Sequence, residues 1–86
     1  MIELDYWSAV WCGPCKQMRS IINELVGAGV KVNKIDADEN VALANRLGIK
    51  GIPTFIVKKD GVEVERLIGA KTKSALQLRL KAAEQL

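Results

Sequence analysis

Trp11-Cys12-Gly13-Pro14-Cys15-Lys16 is the stretch on which the reading of this 86-residue chain turns. Two cysteines separated by two residues can close a small disulfide ring and reopen it. Such a ring restricts little of the unfolded chain, so loop closure is a poor reason for its presence. The chain has only these 2 cysteines and no histidine. A structural zinc site takes about four ligands, more than one such chain supplies unless a dimer shares the metal. An inert buried pair does not account for the tryptophan, glycine and proline around it. Redox exchange is the leading use.

Outward from this stretch, the hydrophobic pattern predicts the elements. Ile2, Leu4 and Tyr6 alternate with Glu3, Asp5 and Trp7, which predicts a first strand ending near Trp7. Pro14 sits where a helix begins, a position that tolerates its missing N–H. Met18, Ile21, Ile22, Leu25 and Val26 continue at helical spacing until Gly27 and Gly29 stop the helix. Val30 to Ile35 reads as a second strand. Asp36-Ala37-Asp38-Glu39 places acidic groups at the start of a short helix that holds Val41, Leu43, Ala44 and Leu47 and ends at Gly48.

Thr54–Val57 and Val62–Val64 predict a hairpin around Asp60-Gly61. In the tail, Leu76, Leu78 and Leu80 alternate as in a strand, while Leu76, Leu80 and Ala83 share a helical face. Good helix formers and Thr72 as N-cap favour the helix. The predicted order is β-α-β-α-β-β-α, with the first two strands parallel across a crossover helix and the last two antiparallel. No linker divides the chain, so residues 1–86 form a single α/β domain.

Composition bounds the function classes. The hydrophobic content of 49% suits a globular core, and no apolar run is long enough to span a membrane. The opening Met1-Ile2-Glu3-Leu4-Asp5 lacks the basic start and apolar run of a signal peptide. The expected location is cytoplasmic, where a lone cysteine pair is more often catalytic or metal-binding than structural. The net charge of +3 arises in residues 51–86, since residues 1–50 balance. These charges are scattered among apolar residues, unlike a nucleic-acid-binding arm. Neither a nucleic acid nor a membrane is expected as partner.

At the start of the helix, unpaired backbone N–H groups and the positive end of the helix dipole favour Cys12 as thiolate. Cys12, expected to be the more exposed, attacks a substrate disulfide, and Cys15 then attacks Cys12 and releases the reduced product. Gly13 lets a substrate backbone approach and Pro14 stiffens the ring.

These residues resemble the thioredoxin family, and the resemblance extends over nearly the whole chain. Asp5-Tyr6-Trp7 is similar to the family strand that ends in an aspartate, an aromatic residue and a tryptophan. Gly51-Ile52-Pro53-Thr54 resembles the loop with a cis-proline opposite the active site. Lys59-Asp60-Gly61 resembles the hairpin turn, and Ile68-Gly69-Ala70 the glycine bordering the substrate groove.

The resemblance implies a thioredoxin-like fold, a mixed four-stranded sheet flanked by three helices. Asp5 becomes a buried carboxylate behind Cys15 that helps take its proton, and Lys34 the lysine facing Asp5. Ile52, held by cis-Pro53, pairs with a substrate strand by β-addition. Trp11, Gly13, Pro14, Ile52, Gly69 and Ala70 line an apolar patch around Cys12, while Trp7 and Met18 belong to the core. The implied partners are thioredoxin reductase or an equivalent electron donor and disulfide-containing proteins. The chain acts as a monomer with no cofactor beyond its own disulfide.

Three departures stand out. The chain begins at the strand bearing Asp5, without the additional N-terminal strand and helix of common thioredoxins. It carries one more residue than usual between Asp5 and Cys12, in Ser8-Ala9-Val10. Ser20 replaces a helix-kinking proline, which predicts a straighter helix. The implied activity is thiol-disulfide reduction of proteins. A glutathione-coupled, glutaredoxin-like reductase and a redox-independent binding subunit are the alternatives. Gly-Pro within the ring and Ile-Pro-Thr in the loop favour the thioredoxin side, and the absence of a ring histidine argues against an oxidase or isomerase.

Overall fold

Period-two alternation in the central strand sorts its side chains onto two faces, and the rest of the fold follows from that division. A computed structural model describes residues 1–86 and shows β1 (Ile2–Ser8), α1 (Gly13–Gly27), β2 (Lys31–Asp36), α2 (Val41–Leu47), β3 (Thr54–Lys59), β4 (Val62–Ile68) and α3 (Lys73–Glu84). The strand order is β2-β1-β3-β4, with β1 and β2 parallel and the β1–β3 and β3–β4 pairs antiparallel. The mixed four-stranded sheet and three helices match the expected thioredoxin-like architecture.

Leu4 and Tyr6 of β1 stand in register with Val57 and Phe55 of β3. On this face they bury against Met18, Ile22 and Leu25 of α1 and Leu76, Leu80 and Ala83 of α3. The Tyr6 and Phe55 rings stack with centroids 5.4 Å apart. Each fully buried large apolar side chain contributes about 1.5–3 kcal/mol. The opposite face carries Asp5, Trp7, Thr54 and Ile56, all buried. Trp7 and Met18 are core residues, as predicted.

The boundaries differ from the sequence reading in five places, the smallest being β2, which lies one residue later, at Lys31–Asp36 rather than Val30–Ile35. β4 continues to Ile68, because polar Glu63, Glu65 and Arg66 pair along an edge strand that needs only one covered face. α1 runs unbroken from Gly13, with Gly27 inside its last turn and Gly29 beyond it in the left-handed region. β3 extends two residues further, to Lys59. Acidic residues do not occupy the first turn of α2; Asp36 Oδ1 accepts instead from the N–H groups of Asp38 and Glu39, folding 36–39 into a turn before Asn40. Asp60 and Gly61 both have positive φ, the signature of a two-residue type I′ hairpin. Thr72 caps α3 by accepting from Ala75 N–H at 3.1 Å.

Candidate active site

The turn from β1 into α1 brings the two cysteines together. Cys12 is the N-cap of α1 in extended conformation, Pro14 lies in the first turn, and Cys15 follows one turn after Cys12. Their Cα atoms are 5.2 Å apart and their sulfurs form a disulfide. The backbone N–H of Cys15 donates to Cys12 Sγ at 3.2 Å. An N-cap normally uses a side-chain oxygen for this bond, so Cys12 sulfur occupies the position where a helix best supports an acceptor or a negative charge.

The expected difference in exposure between the two cysteines is absent. Cys12 is 3% exposed and Cys15 4%, because both pack with Ala9 against Ile52 in the closed ring. Exposure therefore does not distinguish them in the oxidised state; the helix N-cap bond does.

Around the ring, the Ile52–Pro53 peptide is cis, and Pro53 O accepts from Gly69 N–H at 2.8 Å. That bond ties the loop before β3 to the end of β4, so Ile52, Pro53, Gly69 and Ala70 are held near one another. Pro53 is buried, Ile52 and Gly69 are half-buried, and Gly13, Pro14 and Ala70 are exposed. Trp11 is 66% exposed, yet its indole N–H donates to Asp38 Oδ2 at 2.7 Å. Val10 and Ile68 add exposed apolar surface. Sequence reasoning does not single out Asp38, because a carboxylate after a strand carries no local sign of which tryptophan it meets.

Asp5 is buried, as expected, but its partner is not Lys34. Asp5 stands opposite Asn33 in β2 and Ile56 in β3, whereas Lys34 stands opposite Tyr6 and therefore on the other face. Asn33 donates to Asp5 Oδ1 at 2.8 Å, and Lys58 Nζ lies 3.0 Å from Oδ2. Both oxygens are thus engaged. One position of register along β2 reverses which side chain faces which, and this displaces Lys34 from the role inferred for it.

Tyr6 connects the core to the ring, donating its hydroxyl to Cys15 O at 3.2 Å. Burial pushes the Tyr6 phenol above its ordinary range, against the opposing pull of the Ser8 hydroxyl and the Arg19 charge. No group of three or more His, Cys, Asp or Glu side chains gathers as a metal site, and no helix is long and apolar enough to cross a membrane.

Comparison with known proteins agrees with this geometry. A family model described as Thioredoxin matches residues 2–82. Thioredoxin of Bacillus subtilis is 47% identical over 80 residues, covering 90% of this chain and 76% of the relative. A solved point mutant of thioredoxin from Halobacterium salinarum superimposes with a TM-score of 0.89 at 35% identity, covering 94% of this chain and 73% of the other. Thioredoxin NaTrxh from Nicotiana alata gives 0.86 at 38% identity, covering 94% and 71%. A cysteine pair on a helix N-terminus, with matching sequence and fold through nearly its full length, means that the chain belongs to the thioredoxin family and is a thiol-disulfide oxidoreductase.

Proposed function

We propose that the protein reduces disulfides in other proteins, with Cys12 as the attacking sulfur and Cys15 as the resolving one. The Cys15 N–H bond to Cys12 Sγ is the observation that carries this assignment. It stabilises a charge on Cys12 when the ring is open, and the thiolate is the reactive form.

In the cycle, Cys12 thiolate attacks one sulfur of the substrate disulfide. A mixed disulfide forms, the substrate bond breaks, and the leaving sulfur takes a proton. Cys15 loses its proton and attacks Cys12 Sγ, which releases the second substrate sulfur and closes the ring. Two electrons have then passed to the substrate. Thioredoxin reductase or an equivalent dithiol donor returns them. Asp5 receives the Cys15 proton through water; the family resemblance supports this role, and Lys58 with Asn33 holds the carboxylate. Lys34 has no part in it.

The substrate lies across Trp11, Gly13, Pro14, Ile52, Pro53, Gly69 and Ala70, adding an extended segment alongside Ile52. The protein works as a single monomeric domain in the cytoplasm, where thiols are kept reduced.

Turnover of a disulfide-bonded protein by the purified chain tests the assignment. Cys15→Ser should accumulate a covalent mixed disulfide through Cys12, and Cys12→Ser should accumulate none and turn over nothing. A trapped adduct with Cys12→Ser but not with Cys15→Ser would reverse the roles.

A further inference from the structure

Lys34, displaced from Asp5, stands instead at a cavity of about 340 Å³ between α1 and the edge strand β2, which adjoins the cysteine ring because Cys15 also lines it. Strand alternation turns Lys34 and Asp36 to the face that carries Tyr6 and Ser8. From α1, Lys16, Arg19 and Asn23 line the same space at positions i, i+3 and i+7. Three cations therefore border one crevice.

None of Lys16, Arg19 and Lys34 makes an ion pair, whereas Lys31, Lys58, Arg66, Lys73 and Arg79 all do. The one carboxylate in the lining, Asp36, accepts from the N–H groups of Asp38 and Glu39 and so leans into its own turn. The lining thus holds three positive charges against one partly engaged negative charge. Like charges that share one crevice repel, and a counter-charge between them is favourable. A net excess of two positive charges matches a dianion.

The location also favours a ligand. The chain leaves β1 for α1, which packs on the Leu4–Tyr6 face. Ser8 and Asp36 in the lining lie at the carboxyl ends of β1 and β2, the end of an open α/β sheet at which ligands usually bind. Ser8, Tyr6 and Asn23 supply neutral polar groups, and Ala9, Val10 and Ile22 supply apolar wall. Ala9 and Val10 belong to the lengthened connection between Asp5 and Cys12.

We propose that this crevice binds a small organic phosphate, its phosphate held by Lys16, Arg19 and Lys34 and its carbon part resting on Ala9, Val10 and Ile22. The guanidinium of Arg19 offers the forked donors that suit phosphate oxygens. The volume lies at the lower end of small-molecule sites, about 300–1,000 Å³, and exceeds what inorganic phosphate alone fills.

Backbone amide NMR of the oxidised protein, titrated with glycerol 3-phosphate at physiological salt, tests the site. Saturable shifts should be confined to Cys15–Asn23 of α1, to Tyr6–Val10 and to Lys34–Asp36. Arg19→Gln and Lys34→Gln should each weaken binding by about tenfold, the loss typical of one charge-assisted contact, while Lys81→Gln on α3 leaves it unchanged. All three side chains are exposed, so folding survives each change. Inorganic phosphate should bind more weakly than glycerol 3-phosphate; equal binding would overturn the organic ligand. Shifts spread over all lysines, or insensitivity to both Arg19→Gln and Lys34→Gln, would overturn the site.

Discussion

Lys58 Nζ lies 3.0 Å from Asp5 Oδ2, joining β3 to the buried carboxylate of β1 across the face that also holds Trp7. Removing Lys58 leaves a carboxylate with 10% side-chain exposure and only Asn33 as partner. Exposed ion pairs contribute under about 1 kcal/mol, and breaking fully buried ones costs about 3–5 kcal/mol. Lys58 lies between these limits, with 26% side-chain exposure, so Lys58→Met should destabilise the protein by about 2 kcal/mol in urea unfolding. Adding Asp5→Asn should recover much of the loss. Lys34→Met should leave stability nearly unchanged; a loss equal to that of Lys58→Met would contradict the register.

The Asp5 environment also marks the boundary of what the chain discloses before folding. Helix periods, the Asp60-Gly61 turn and the Thr72 cap depend on neighbours within a few residues, and all three stand in the structure where the sequence places them. The cation for Asp5 depends on strand register, a distance of 53 positions along the chain between residues 5 and 58. Alternation alone cannot choose among Lys31, Lys34 and Lys58 for it. The Trp11–Asp38 contact is hidden for the same reason. The turn held by Asp36 decides it, and nothing local to Trp11 announces that turn.

Tyr6 sets a pH dependence. Its phenol is raised above the ordinary value of 10.0, chiefly by burial. The unfolded chain therefore ionises first: the contribution from neutral Tyr6 is complete below pH 10 and falls as pH rises through the folded value. Tyr6→Phe removes the bond to Cys15 O and should cost about 1 kcal/mol at pH 7. Above about pH 10 the difference between the two proteins should shrink, as followed by urea unfolding from about pH 7 to 11. A constant gap would show that Tyr6 does not titrate with folding.

Glu63 accepts two hydrogen bonds from Arg66, at 2.9 and 2.8 Å, and this holds its carboxyl below the ordinary value of 4.5. Arg66 also donates to Leu47 O and Gly48 O, so the pair braces the end of α2 against β4. A lowered folded value gives stability that is present above about pH 4.5 and lost as pH falls through the folded value. Because the Glu63 side chain is 40% exposed, screening keeps the effect of Glu63→Gln below about 1 kcal/mol at pH 7. The variant and the original should converge in stability in acid, and salt should narrow their difference at neutral pH.

Asp38 holds Trp11 by its indole N–H at 2.7 Å although the ring is 66% exposed. Asp38→Ala frees the ring without touching either cysteine. An exposed hydrogen bond is worth about 0.5–1 kcal/mol, so KM for protein disulfides should rise by about threefold with kcat little changed. Trp11 fluorescence anisotropy should fall in the same variant. An unchanged KM with a freed ring would remove Trp11 from the substrate surface.

Gly69 has φ of 92° while its N–H donates to Pro53 O, so one residue both turns the chain after β4 and fastens the cis-proline loop. A Cβ here would meet only Lys71 Nζ at 3.9 Å, which leaves space for the methyl group. The cost of Gly69→Ala is therefore conformational, about 1–2 kcal/mol for an L-residue in the left-handed region. If the chain relaxes to avoid that strain, the bond to Pro53 O weakens and the substrate loop loosens. Activity should then fall further than stability alone explains, with KM rising while the Cys12–Cys15 potential stays fixed. A changed potential with an unchanged KM would instead place Gly69 with the ring chemistry rather than with the groove.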